Sequence, residues 1–172
     1  ATALLRGAFE YQGQKCSAAS RAYIPSNLAV AVKKKLVEGI KGFKMGTVED
    51  FSNFINAVID EKSFDKIKAY IDNAKKDKKA EVIAGGKCDK NKGYFIEPTV
   101  IEAKDPAYVT MCEEIFGPVL TIFIYKADKF EETLDLLDKT SPYALTGSII
   151  SQDRAAVELA THKLRNSAGN FY

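Results

Sequence analysis

The sequence predicts an α/β domain, a mostly parallel β-sheet flanked by helices. Two observations carry this. Amphipathic runs at helical spacing alternate along the chain with short β-branched or aromatic runs, the pattern of a layered parallel sheet. The densest of the latter, Val119 to Tyr125, has the make-up of a strand buried on both faces.

Each element follows from local pattern. Ala3 to Tyr11 carries Leu4, Leu5, Ala8 and Phe9 at helical spacing, with Gly13 placed to end the helix. Ser20 to Ile24 reads as a strand closed by Pro25. A second helix sets Leu28, Val32, Leu36 and Ile40 four apart on one face. A third, Ser63 to Lys76, turns Phe64, Ile67, Ile71 and Ala74 inward and its lysines outward. Glu81 to Ala84 is a strand broken by Gly85-Gly86, and Tyr94 to Ile101 is extended but interrupted by Pro98. After Val119–Tyr125, Asp128 is placed as an N-cap with Glu131 three residues on, ahead of a helix with Phe130, Leu134 and Leu137 inward. Gly147 to Ser151 is the next strand. Asp153 caps a helix with Val157, Ala160 and Leu164 inward, and Ser167 to Tyr172 is a last strand. No repeat, low-complexity stretch or linker divides residues 1–172, which read as one domain.

Composition narrows the function classes. With 46% hydrophobic and 28% charged residues, the 172-residue chain is long enough to bury a core. A net charge of +2, from lysines scattered among acids, gives no basic stripe for nucleic acid. No apolar run approaches a membrane span, and no signal pattern opens the chain. Three widely spaced cysteines, Cys16, Cys88 and Cys112, predict no disulfide framework and a reducing compartment. With no C-x-x-C and a single histidine, His162, no metal site is expected. His162 falls off the apolar face of its helix and reads as a surface residue.

Two stretches can carry chemistry. In Gly13-Gln14-Lys15-Cys16-Ser17, a cysteine follows a helix in a glycine-containing loop, beside a lysine. A thiol of ordinary pKa, about 8.5, is mostly protonated at neutral pH, so a neighbouring cation would favour the reactive thiolate. Taken alone, the residue reads more readily as a small buried hydrophobe. In Glu113-Glu114-Ile115-Phe116-Gly117-Pro118-Val119, two acids and an aromatic precede a Gly-Pro break and a strand. One reading is a solvated acidic turn with a packing ring. The other is a carboxylate for ribose hydroxyls and a ring against a nicotinamide.

Taken together, roughly a hundred residues apart, these stretches resemble the aldehyde dehydrogenase superfamily. Gly13-Gln14-Lys15-Cys16 is similar to its nucleophile loop and Glu114-Ile115-Phe116-Gly117-Pro118 to its cofactor-facing motif. Gly93-Tyr94-Phe95-Ile96-Glu97-Pro98-Thr99-Val100 is similar to a further recurrent stretch. The order and separations match, and the resemblance covers the whole chain. Gly7 to Ala18, Ala57 to Phe64 and Ser167 to Tyr172 most resemble the stand-alone 1-pyrroline-5-carboxylate dehydrogenase branch.

The resemblance implies the catalytic domain of an NAD-dependent enzyme that oxidises L-glutamate γ-semialdehyde to glutamate. Cys16 is the implied nucleophile, Glu114 and Phe116 the implied cofactor contacts. Ser17 adjoins the substrate or simply opens the next segment. The chain begins inside a helical pattern and ends on an aromatic strand, which predicts a piece of a longer protein. The N-terminal cofactor-binding domain and C-terminal oligomerisation segment of the family are then absent, and residues 1–172 alone are expected to be inactive. The implied partners are a small aldehyde, the cofactor domain of the same chain and, for the full enzyme, further copies of itself. The implied compartment is the cytoplasm in a bacterium and the mitochondrial matrix in a eukaryote. Another aldehyde substrate, cofactor-independent ester hydrolysis through the same thiol, and a non-catalytic α/β module are the competing readings.

Overall fold

The computed structural model describes residues 1–172. In chain order the elements are α1 (Thr2–Phe9), β1 (Arg21–Pro25), α2 (Ser26–Lys41), α3 (Glu61–Lys76), β2 (Ala80–Ala84), β3 (Cys88–Asp89), β4 (Phe95–Ile96), β5 (Thr99–Ala103), α4 (Val109–Cys112), β6 (Val119–Tyr125), α5 (Phe130–Thr140), β7 (Thr146–Gly147), α6 (Arg154–Lys163) and β8 (Asn170–Phe171).

The central sheet has four strands in the order β1-β6-β5-β2. Both neighbours of β6 run parallel to it, and only the edge strand β2 is antiparallel. The apolar run Val119–Tyr125 is therefore central, as its composition predicts. Its side chains alternate between two cores. Val119 and Phe123 join the cluster under α3 and α4, with Phe64, Ile67, Ile71 and Met111. Leu120, Ile122 and Ile124 join the cluster under α1 and α2, with Phe9, Leu36 and Ile55. Each large side chain fully buried there contributes about 1.5–3 kcal/mol. The one buried hydroxyl pair of the strand is satisfied, Thr121 Oγ1 donating to Thr110 Oγ1 at 2.8 Å.

Helix α3 shows how sequence sets an element. Asp60 accepts from the Ser63 N–H at 2.7 Å as N-cap, so the helix begins at Glu61, ahead of the expected Ser63. Phe64, Ile67, Ile71 and Ala74 are buried along one stripe, and Lys75 and Lys76 lie in the last turn, where cations complement the helix dipole.

Helices α5 and α6 pack on each other around Leu134, Ala160 and Leu164, beside the two-stranded parallel pair β7–β8. Asp153 caps α6 as expected, accepting from Ala155 N at 2.9 Å. Two hydrogen bonds tie this unit to the rest: Tyr23 Oη to Thr140 Oγ1 at 3.0 Å, and Ser141 Oγ to the Cys112 carbonyl at 3.1 Å.

Several expectations need correction. Asp128 is not a cap: Ala127–Lys129 form a 3-10 turn, and α5 starts at Phe130 without a side-chain cap. The strand expected over 147–151 is only Thr146–Gly147, and the last strand is only Asn170–Phe171, because each has just the other to pair with. Leu28 faces solvent on α2, and Ala29 is the buried residue of that turn. The first helix stops at Phe9 instead of Tyr11, for a reason that lies in the site.

Candidate active site

Strands β1, β5 and β6 start at the same edge of the sheet, Arg21 lying opposite Thr121 and Thr99 opposite Val119. The loop entering β1 carries Cys16 and Ser17. The loop entering β6 carries Glu113 to Pro118. Parallel pairing thus brings the two predicted stretches side by side at the amino ends of the strands.

Two glycines let them touch. A Cβ on Gly13 would meet the Gly117 carbonyl oxygen at 2.3 Å, and one on Gly117 would meet Ile67 Cδ1 at 2.4 Å. The first contact is backbone against backbone, so no side-chain rotation can relieve it.

Ahead of Cys16 the chain makes a left-handed turn. Tyr11, Gln12 and Gly13 have φ of 54°, 57° and 65°. Left-handed geometry costs a non-glycine residue roughly 1–2 kcal/mol. Side chains hold it in place: buried Gln12 donates from Nε2 to the Ala57 carbonyl at 3.4 Å, and Gln14 Oε1 accepts from the Ile59 N–H at 2.9 Å. This turn is what ends α1 early. Helical spacing continues through Tyr11 in the sequence, and only tertiary contacts override it.

The turn Lys15–Ala18 is closed by Ala18 N–H donating to the Lys15 carbonyl at 2.9 Å, with Cys16 and Ser17 at its exposed corner. Cys16 is the exposed cysteine of the three; Cys88 and Cys112 are half-buried, and burial pushes the Cys88 thiol up. The Cys16 main-chain N–H takes no hydrogen bond within the backbone, so it is a free donor at the corner. Lys15, the cation beside the thiol in sequence, is engaged elsewhere. Its Nζ pairs with Glu10 at 2.9 Å, and that hydrogen bond, with Lys15 and then Arg6 charge, holds the Glu10 carboxyl below its ordinary range.

In the second loop, Phe116 is itself left-handed, at φ 61°, and the residue is 43% exposed. The structure sorts the two acids. Tyr70 donates its hydroxyl to the Glu113 carboxylate, whereas the Glu114 carboxylate is exposed and unpaired. The Glu114 carbonyl accepts from Lys66 Nζ at 3.0 Å. An exposed carboxylate beside an exposed ring fits a ribose and a planar heterocycle, and nothing in the chain competes for either. No group of three or more His, Cys, Asp or Glu side chains could hold a metal. His162 is exposed on α6.

Sequence pattern missed Gln12, Gln14, Lys66 and Tyr70. Lys66 and Tyr70 did leave a signal: they lie four apart on α3, off its apolar stripe, and so share a second face.

Comparison with known proteins places this geometry. The chain is 62% identical over 168 residues to the mitochondrial delta-1-pyrroline-5-carboxylate dehydrogenase of Dictyostelium discoideum, covering 98% of this chain and 30% of that protein. It is 52% identical over 169 residues to the mitochondrial delta-1-pyrroline-5-carboxylate dehydrogenase of Homo sapiens, with 98% and 30% covered. The crystal structure of the delta-pyrroline-5-carboxylate dehydrogenase from Mycobacterium tuberculosis bound with NAD superposes with a TM-score of 0.91 at 43% identity, over 99% of this chain and 31% of that one. The chain thus spans about a third of the length of its curated relatives. Residues 1–172 match the aldehyde dehydrogenase family along their whole length, and the chain belongs to that family.

Proposed function

We propose that the protein carrying these residues oxidises L-glutamate γ-semialdehyde, the open form of 1-pyrroline-5-carboxylate, to glutamate with NAD. The observation that carries this is the backbone contact of Gly13 with Gly117, which sets an exposed cysteine loop against a loop with a free carboxylate and an exposed ring. The names of the relatives and the NAD-bound neighbour support the substrate and cofactor.

Cys16 is the nucleophile. Its Sγ, as the thiolate, bonds to the aldehyde carbon and the carbonyl oxygen becomes an oxyanion, to which the free Cys16 N–H can donate. Covalent capture makes the carbon tetrahedral, and only then is its hydrogen ready to leave as hydride. NAD, when bound, supplies the acceptor for that hydride. Glu114 would hold the nicotinamide ribose through its hydroxyls and Phe116 would bracket the ring, so this chain would contribute position more than electronics. The acyl group left on Cys16 is a thioester, which water cleaves to release the carboxylate and restore the thiol. Ser17, at the same turn corner, faces the substrate.

The remainder of the longer protein supplies most cofactor contacts, the general base and the oligomer contacts, so residues 1–172 alone turn over no aldehyde. We assign the enzyme to the mitochondrial matrix in a eukaryotic source, in keeping with relatives named mitochondrial, and to the cytoplasm in a bacterial one.

The test is NADH formation by the full protein with 1-pyrroline-5-carboxylate and a panel of simple aldehydes, beside Cys16→Ala. Preference for 1-pyrroline-5-carboxylate, abolished in the variant, is the expected result. Activity confined to other aldehydes overturns the substrate, and activity surviving Cys16→Ala overturns the mechanism.

A further inference from the structure

Three consecutive residues at the entry to the β6 loop are each held by a side chain from elsewhere. The Cys112 carbonyl accepts from Ser141, the Glu113 carboxylate from Tyr70, and the Glu114 carbonyl from Lys66. Of these, Tyr70–Glu113 is the contact that decides between two chemically equivalent acids. Both are exposed, and adjacent residues in an extended segment project to opposite sides. Fixing one carboxylate against α3 turns the other away from it. Ile67, one turn before Tyr70, packs under Gly117, so the same helix supports both ends of the loop.

We propose that Tyr70 is a positioning residue for the cofactor. By holding Glu113 it makes Glu114 the carboxylate presented to the nicotinamide ribose, and it sets the ring of Phe116 two residues on. This rests on the function proposed above. The hydrogen bond to the Glu113 carboxylate also favours the neutral phenol and raises its pKa, so the hydroxyl remains a donor across the physiological range.

The experiment is steady-state kinetics of the full protein with Tyr70→Phe, Glu113→Ala and the double variant. Two readouts accompany it: NADH binding by fluorescence, and the rate of Cys16 alkylation. Each single variant is expected to raise KM for NAD and Kd for NADH roughly five- to tenfold, the effect of losing one ordinary hydrogen bond at an exposed position. KM for the aldehyde and the alkylation rate stay within about twofold of the parent. The double variant is expected to be no worse than either single, because both remove the same contact. Glu113→Gln, which keeps an acceptor for the phenol, restores most of the NAD affinity.

Unchanged NAD affinity in Tyr70→Phe overturns the proposal. So does an equal loss in NAD affinity, aldehyde KM and alkylation rate, which marks a general structural role. If Tyr70→Phe does not fold, Glu113→Ala, a change at an exposed loop position, decides the question by the same criteria. A parent protein that oxidises no aldehyde with NAD overturns both this inference and the function it rests on, whereas an active parent with an indifferent Tyr70→Phe overturns the inference alone.

Discussion

Gly13 is the residue on which the geometry turns. A methyl group there meets a backbone oxygen, not a yielding side chain, and the position also needs a positive φ. Gly13→Ala should therefore destabilise the full protein by more than about 1 kcal/mol, visible as a lower urea midpoint at unchanged m-value. It should also slow Cys16 alkylation, since the loop must move to relieve the clash. Among the thiols, Cys16 stands at an exposed turn corner while Cys88 is half-buried with its pKa raised by desolvation. Limited alkylation near neutral pH, read by peptide mass spectrometry, should label Cys16 well before Cys88. Comparable labelling of the two would remove the case for Cys16 as the reactive thiol. Neither glycine's role nor the left-handed turn at 11–13 is legible locally. Tyr11 and Gln12 have no intrinsic preference for that conformation, and they adopt it because Gln12 and Gln14 find partners at Ala57 and Ile59, some 45 residues away.

At the scale of elements, α3 joins the two loops: its N-cap lies beside Ile59, its middle under Gly117, and Lys66 and Tyr70 reach Glu114 and Glu113. Two caps make a matched comparison. Asp153→Ala, at the start of α6, should cost about 1 kcal/mol of stability and leave cofactor affinity untouched. Asp60→Ala should also lower the melting temperature, but with a measurable rise in KM for NAD. The Asp60 carboxyl is held below its ordinary range by the Ser63 N–H and hydroxyl. Its stabilising contribution is therefore full above the unfolded-state pKa and is lost as pH falls through the lower folded-state value. Acid titrations of parent and Asp60→Ala should converge at the low end and diverge above it. Helix α3 was legible because its stripe and cap are local signals. The start of α5 was not, since Asp128 has the right chemistry but lies in a 3-10 turn whose Ala127 N–H is taken by Ser26 Oγ at 3.2 Å. Strands β7 and β8 are shorter than their β-branched and aromatic residues predict because each has only a two-residue partner.

For the molecule as a whole, the parallel sheet is the device that turns two stretches roughly a hundred residues apart into one site. The sequence supports the sheet well: the central strand announces itself by composition, and helices separate it from its parallel neighbours. It supports the members of the site through family resemblance, but not their contact, which depends on strand order. The division of labour can be tested. Glu114→Gln should raise KM for NAD several-fold through the weakened grip on ribose hydroxyls, with Cys16 alkylation unchanged, as kinetics and thiol labelling of the same preparation will show. A parallel fall in both would mean the loops do not act separately.

The touch of Gly13 on Gly117 has an evolutionary consequence as well. Because the obstructing atom is a main-chain oxygen, no side-chain replacement at 117 can make room for a larger residue at 13. A suppressor screen on Gly13→Ala should thus return true revertants, or changes that shift a whole strand, and no compensating allele at 117. The constraint is one-sided, since a Cβ at 117 meets only the Ile67 side chain, so lineages carrying this site have few viable single-step routes away from Gly13.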